Sequence, residues 1–368
     1  MNPRAALLFA TSGHSGVDRV VANILPELCH SSWQFDLVGI RGYGPHPKNI
    51  PANVTLRRIP SGSKKALLPG LIWYLLRHQP QTLLCANHAL NRAALLARRL
   101  TGRPERVAIR MGMSLAAKGE KMRPRARQAL FASMRRWYPQ ADAVIAPSHG
   151  VGRDLIRYAG VSEDRLYIIP NPIITEQFPA LCNEVVDHSW FRDDAESPII
   201  LSVGSLEPRK DFATLIDAFA RVRAKRLCRL VILGEGRERE RLLNQARQLN
   251  IFEDVDLPGY TTNPCPYMRK ASLFVLSSHR EGSPVALVEA LACGTPVVST
   301  DCPNGPSETL QNGKVGKLVP VGDPEPMARA IEQTLDSPPP SNFLKGAVSE
   351  HRSDLAAKRY LQAMGIEE

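Results

Sequence analysis

The chain switches repeatedly between two hydrophobic periods. Short runs in which nearly every residue is apolar alternate with longer segments whose apolar residues recur every three or four positions. In the first half the runs are "AALLFA", "FDLVGI", "VTLRRI", "TLLCAN", "RVAIRM", "DAVIAP" and "LYIIP". In the second they are "PIILSVG", "CRLVILG", "VDLPG", "SLFVLSS", "PVVST" and "GKLVPV". A strand that is apolar throughout needs cover on both faces, which helical crossovers provide and simple hairpins do not. Helical periodicity falls between the runs, at Val17–Leu28, Asn91–Leu100 and Gln128–Tyr138, and then near 211–226, 238–249, 284–293 and 324–336. The pattern predicts an α/β chain with two doubly wound parallel sheets, one in each half. The most apolar stretch, "ALLPGLIWYLL" from Ala66 to Leu76, is about half a membrane span, contains Pro69 and reads as a buried helix.

At 368 residues the chain has room for two domains. Periodicity stops between Asn171 and Pro198, where prolines and acids collect, so the reading is a first domain over 1–180 and a second over 181–348. The proline-rich "SPPPSN" (Ser337 to Asn342) precedes a last helix near 349–363, in a segment 349–368 expected to pack back on the first domain. Two such sheets facing across a cleft would bind a ligand there, at the C-terminal ends of their strands.

Charge is unevenly spread. Residues 1–180 hold 25 of the 47 lysines and arginines but only 10 of the 36 acids, so the net charge of +11 originates in the first half. Seven cysteines, at 29, 85, 182, 228, 265, 293 and 302, form no C-x-x-C pair; odd in number and irregular in spacing, they read as reduced and mostly structural, with neither a disulfide framework nor a zinc site. The N-terminus runs straight into Gly and His without a signal-peptide cleavage region, so a cytoplasmic location is expected.

Chemistry concentrates in "HREGSPVALVEALACGTPVVST", His279 to Thr300. Ser283 suits a helix N-cap and Pro284 the first helical position. The amides of Val285, Ala286 and Leu287 would then lack intrahelical partners at the positive end of the helix dipole, where a phosphate binds readily. Glu281 would stand beside whatever the phosphate carries. Glu289, two turns into the helix, could accept hydrogen bonds from the neighbouring hydroxyls of a ribose. The competing reading makes Glu281 an electrostatic cap and Glu289 a solvated surface carboxylate.

"EGSPVALVEALACGTPVV" resembles the E-x7-E signature of retaining glycosyltransferases, family 4 in particular. "LSVGSLEPRKDFATLIDAF", "RLVILGEGRERERL", "VDLPGY" and "ADAVIAPSHGV…LYIIPNPI" match the same family over nearly the whole chain. The resemblance implies a GT-B fold of two Rossmann-like domains, a nucleotide-sugar donor held mainly by the second, retention at the anomeric carbon and no required metal or other cofactor. On it, Lys210 resembles a ligand of the donor pyrophosphate, Glu281 the carboxylate that contacts the donor sugar, and Glu289 the ribose ligand. Gly282, Ser283 and Val285 would present backbone groups to sugar and phosphate, and Gly234 would lie beside the base. The family's arginine after the glycine of the "G-x-L" turn is replaced by Ser205, with Arg209 the candidate to take over its charge. Its Gly-Gly pair after the first strand is replaced by Ser15-Gly16, so only Gly16 carries over. Where relatives place a histidine in the first domain this chain has Met111, leaving His88 and Arg110 as acceptor-side candidates. The "RDD" run, Arg192 to Asp194, falls in the linker rather than at a strand end, so no metal ligands are assigned.

These roles imply a transferase using a UDP-sugar ahead of a GDP-sugar. Its expected acceptor is a glycan, lipid-linked, in cell-surface polysaccharide or lipopolysaccharide assembly. Residues 118–137, "KGEKMRPRARQALFASMRRW", read as one basic amphipathic helix suited to an anionic membrane surface, with packing of the stripe into the domain as the alternative. Two other classes stay open: a GT-B enzyme with a small soluble acceptor or a nucleotide-sugar epimerase, and a basic nucleic-acid-binding protein. The last lacks any recognition signature, and aromatics at 6% offer few stacking platforms, so no nucleic-acid partner is assigned.

Overall fold

A computed structural model describes residues 3–9, 16–40, 50–59, 67–120, 122–192 and 197–367. The chain divides into two compact units, Met1–Ile173 with His351–Glu368, and Ile174–Glu350. The first break therefore falls after Ile173, not after residue 180. The short helix Phe178–Cys182 belongs with the second unit, where Leu181 O accepts from Asn263 Nδ2 at 2.9 Å.

The first unit holds β1 (Arg4–Leu8), β2 (Gln34–Ile40), β3 (Val54–Ile59), β4 (Thr82–Ala86), β5 (Arg106–Arg110), β6 (Ala143–Ala146) and β7 (Leu166–Ile168). They form one sheet in the order β3-β2-β1-β4-β5-β6-β7, every pairing parallel. All seven apolar runs of the first half become strands. Buried clusters lie on both faces. One is built on Leu71, Tyr74, Leu95, Val107 and Leu155, the other on Val21, Ile24, Phe35, Tyr360 and Leu361. The second cluster shows why the C-terminus belongs here. Helix Ser353–Ala363 supplies part of that core, and Thr82 Oγ1 and Arg106 Nε donate to the carbonyls of Met364 and Ala363.

Expected Val17–Leu28 is the helix Gly16–Ile24 followed by a 3-10 turn Pro26–His30, because Pro26 has no amide with which to continue the ladder. The basic segment 118–137 is not one helix: Leu115–Glu120 ends before a second helix, Pro124–Trp137, which opens on proline. The apolar stripe of the second packs inward. Met134 is buried, Leu130 and Trp137 pack against the core, and Phe131 stacks on Tyr158 with ring centroids 4.9 Å apart. Arg125, Arg127, Arg135 and Arg136 remain exposed. The stripe is thus packed against the domain core, while the arginines face outward. Among the described residues no helix is long and apolar enough to cross a membrane.

The second unit holds β8 (Ile199–Val203), β9 (Arg229–Leu233), β10 (Val255–Gly259), β11 (Leu273–Leu276), β12 (Val297–Thr300) and β13 (Lys317–Val319), in the order β10-β9-β8-β11-β12-β13, again all parallel. Sequence order reverses between β8 and β11. In open parallel sheets the loops leaving such neighbours run to opposite faces, and a crevice opens at their C-terminal ends.

Candidate active site

Lys210 follows β8 and Glu281 follows β11, so the two residues leave the strands that flank the switch point. Local hydrogen bonds clasp these loops together. Ser277 Oγ donates to the carbonyl of Lys210 at 2.7 Å, and the amide of His279 donates to the carbonyl of Arg209 at 2.9 Å. Thr300 Oγ1, ending β12, donates to the carbonyl of Ser278 at 2.7 Å. Beyond Lys210 the chain turns sharply. Asp211 takes a left-handed conformation (φ 49°) and caps helix Phe212–Arg223 through the amide and hydroxyl of Thr214. Its carboxylate lies 3.5 Å from His279 Nε2.

The outcome is a contact that sequence spacing did not reveal. Lys210 Nζ donates to Glu281 Oε1 at 2.5 Å, and Ser278 Oγ donates to the same oxygen at 2.6 Å. The two side chains are only 11% and 8% exposed. Lys210 and Glu281 thus form one nearly buried ion pair, in which each charge compensates the desolvation of the other. Cys302 lies close to both; burial and the negative charge of Glu281 push its thiol up to about 12, so it is a neutral thiol.

Glu289 is 3% exposed, so the reading of it as a solvated surface carboxylate fails. The start of its helix also differs from expectation. The helix runs Val285–Cys293 with Pro284 rather than Ser283 at the N-cap, and no side chain caps it. The Val285 amide donates to Ser283 O at 2.9 Å and that of Leu287 to Pro284 O at 3.0 Å, so two of the three amides expected to face a ligand are engaged. Gly282 lies in the bend between Glu281 and Ser283.

Arg209 reaches the position left by the missing arginine: its Nη2 donates to Ser205 Oγ at 3.3 Å, and its Nε to Glu207 Oε2 at 3.0 Å. Gly234 serves the backbone. At φ +150° a Cβ there would come within 1.9 Å of Gly204 O, and its own amide donates to Gly259 O at 2.8 Å. Glycine is what lets the loops after β8, β9 and β10 lie this close together. A Cβ on Gly204 would stand 3.1 Å from Lys210 Cε, so a second missing side chain makes room for the lysine stem.

The first unit treats its candidates differently. Arg110 is 3% exposed; its Nε donates to Tyr360 Oη at 2.8 Å and its Nη2 to Asn171 Oδ1 at 2.6 Å. It fastens the returning C-terminal helix, a structural role that commits both of these guanidinium donors. His88 opens helix His88–Thr101 with Nδ1 3.3 Å from Tyr138 Oη. Burial, aided by the positive charges of Arg92 and Lys118, lowers its pKa to about 4, leaving a neutral imidazole at physiological pH. Gly16 begins helix Gly16–Ile24; residues 11–15 of the glycine loop, and Asp193 and Asp194 of the "RDD" run, lie outside the described residues.

Sequence reasoning missed two groups. Ser277, Ser278, His279 and Asp211 position the ion pair; the "SSH" run directly after β11 was their only signal. Cys182, Cys265 and Cys293 bring their sulfurs within 4.8 Å of one another, a convergence that the reading of them as separate structural residues without a metal site did not contain. Their spacing of 83 and 28 residues, read from those positions, matches no motif.

Comparison with known proteins accounts for both units. The profile described as "Glycosyl transferases group 1" matches residues 189–351, and that described as "Glycosyltransferase Family 4" matches residues 14–177. The chain belongs to the family 4 glycosyltransferases. Within this glycosyltransferase family it is 34% identical over 199 residues to N-acetylgalactosamine-N,N'-diacetylbacillosaminyl-diphospho-undecaprenol 4-alpha-N-acetylgalactosaminyltransferase of Campylobacter jejuni, covering 54% of this chain and 52% of that protein. It is 37% identical over 150 residues to the lipopolysaccharide core biosynthesis glycosyltransferase LpsE of Rhizobium meliloti, covering 41% and 43%. The chain spans about half the length of these curated relatives. Solved structures share its fold over almost its full length. The apo form of the lipopolysaccharide outer core galactosyltransferase WaaB has a TM-score of 0.76 at 20% identity, covering 99% of both chains. Anabaena HepE in complex with UDP has a TM-score of 0.76 at 16% identity, covering 99% of this chain and 100% of that one. The fold class is GT-B, with one parallel α/β sheet in each domain.

Proposed function

We propose that the chain moves a sugar from a nucleotide-sugar donor, a UDP-sugar ahead of a GDP-sugar, to a lipid-linked glycan acceptor. Transfer proceeds with retention and without a metal in the chemistry, in the assembly of a cell-surface polysaccharide or lipopolysaccharide at the cytoplasmic face of the membrane. The observation that carries this reading is the Lys210–Glu281 pair at the switch point, one helix away from buried Glu289. In the free protein the carboxylate neutralises the ammonium. A donor diphosphate offers Lys210 a doubly charged partner and releases Glu281 toward the sugar hydroxyls, while Glu289 accepts from the ribose. As the bond from anomeric carbon to phosphate oxygen breaks, negative charge grows on the leaving diphosphate, and Lys210 with Arg209 stabilises it. The acceptor oxygen bonds to the same face of that carbon, and its proton passes to the leaving phosphate oxygen, so no protein nucleophile is used.

The lipid-linked acceptor is supported by the names of the relatives, one acting on a diphospho-undecaprenol and one in lipopolysaccharide core biosynthesis. The exposed arginines of helix Pro124–Trp137 support attraction to an anionic surface by charge alone, since the apolar stripe is already packed. Calorimetric titration with UDP, GDP and ADP in EDTA tests the reading. One nucleotide should bind, and Glu289→Ala should weaken it, whereas Glu281→Ala should chiefly lower turnover. Absence of binding by all three nucleotides would remove the basis of the proposal.

A further inference from the structure

We propose that Cys182, Cys265 and Cys293 form a thiolate site for a soft d10 metal ion of the zinc class. The three residues come from three elements of the second unit: the last residue of helix Phe178–Cys182, the first of helix Cys265–Lys270, and the last of helix Val285–Cys293. Their sulfurs lie within 4.8 Å of one another, with Cys182 Sγ and Cys293 Sγ 3.4 Å apart. Zinc–sulfur bonds of about 2.3 Å in tetrahedral geometry hold sulfurs about 3.8 Å apart, inside that range. A disulfide requires about 2 Å and would use two sulfurs while leaving the third aside. Among the described residues this is the one group of three or more potential ligands that converges in this way.

Burial fits the same occupant. Exposure is 9% at Cys182, 3% at Cys265 and 8% at Cys293, so the set is enclosed. The thiols already engage one another and the adjoining backbone: Cys182 Sγ and Cys293 Sγ share a hydrogen bond, and Cys293 Sγ lies 3.5 Å from the carbonyl of Cys265. A thiophilic cation bound here takes the place of the thiol protons, which pass to solvent. With three protein ligands, a fourth position remains for water. The site is structural in its consequence. Cys293 lies one helical turn beyond Glu289, so the ion ties the far end of the helix that carries Glu289 to two neighbouring helices, independently of the chemistry at Lys210 and Glu281.

The test uses the full chain, reduced and stripped with a chelator, titrated with Cd2+ while the thiolate-to-cadmium charge-transfer absorption is followed, and then with Zn2+ to displace it. Uptake should saturate at one ion per chain. Cys182→Ser, Cys265→Ser and Cys293→Ser should each bind at least about tenfold more weakly, and Cys228→Ser should bind like the parent. Alkylation of the unmodified protein covers the case in which a serine variant fails to fold: Zn2+ should slow modification of these three cysteines together and leave Cys228 unaffected. The proposal is overturned if the parent takes up no stoichiometric ion, or if uptake survives all three substitutions. A Cys182–Cys293 disulfide that forms in the presence of stoichiometric Zn2+ overturns it as well, in favour of a redox pair.

Discussion

Glu281→Gln tests whether Lys210 and Glu281 act as one unit. With the charges 2.5 Å apart and an effective dielectric near 20, their attraction is about 7 kcal/mol before desolvation is counted. Desolvating each ion costs several kcal/mol, so the intact pair adds little net stability, but removing one partner leaves the other charge uncompensated. Fully buried pairs lose about 3–5 kcal/mol in that case; since each side chain here retains about a tenth of its exposure, about 2–4 kcal/mol is expected for Glu281→Gln or Lys210→Met alone. The double variant should cost little more than either single one, a coupling of about 2 kcal/mol. The assay is hydrogen exchange of peptides spanning Ile199–Val203 and Leu273–Leu276, which reports the second unit separately from the first. A nucleotide gives the signature of function. In Glu281→Gln the diphosphate becomes the partner Lys210 lacks, so UDP should raise protection more than in the parent, and in Lys210→Met it should raise it less. Additive losses in the double variant would show that the two charges are independent, and the account of the site would fall with them.

Other consequences are equally specific. Arg110→Met should remove the guanidinium that donates to Tyr360 Oη and Asn171 Oδ1 and cost about 3 kcal/mol, with earlier proteolytic release of the C-terminal segment and unchanged nucleotide affinity; an unaltered stability with reduced turnover would favour the acceptor-side reading. His88 binds protons less readily folded than unfolded, since its pKa is lowered from 6.5 to about 4. Its contribution is therefore complete above about pH 6.5 and is lost as pH falls toward 4, and for a half-buried ring about 1–2 kcal/mol is involved. Urea unfolding at about pH 7 and pH 5 should show this acid loss, and His88→Asn should reduce it. Gly234→Ala brings a methyl within 1.9 Å of Gly204 O and should cost about 2 kcal/mol or more, while weakening nucleotide binding through displacement of the loop that leads to Lys210. A Tm equal to the parent's would show that the backbone there is free to shift.

The residues of this chain carry different amounts of readable information, and the reason is physical range. Strands such as "CRLVILG" and "SLFVLSS" were legible because burial on both faces is written in consecutive residues, and the sequence pattern located all thirteen strands of the two sheets. The E-x7-E stretch was legible because its two glutamates share a loop and the helix after it. Contacts between distant elements leave no such trace. Lys210 and Glu281 are 71 residues apart, and what joins them is the strand order β8-β11, which no local window contains. Arg110 was a candidate because it adjoins Met111, where relatives place a histidine; its bond to Tyr360, 250 residues later, was invisible at that distance. The same limit explains the basic segment. Charges at 118–137 are visible in composition, but how far Phe131 is covered depends on Tyr158, which stacks on it from another helix. Where a side chain's role is decided by a neighbour on the same element, residue order suffices; where it is decided across a crossover, as for the cysteines at 182, 265 and 293, only the fold brings the chemistry together.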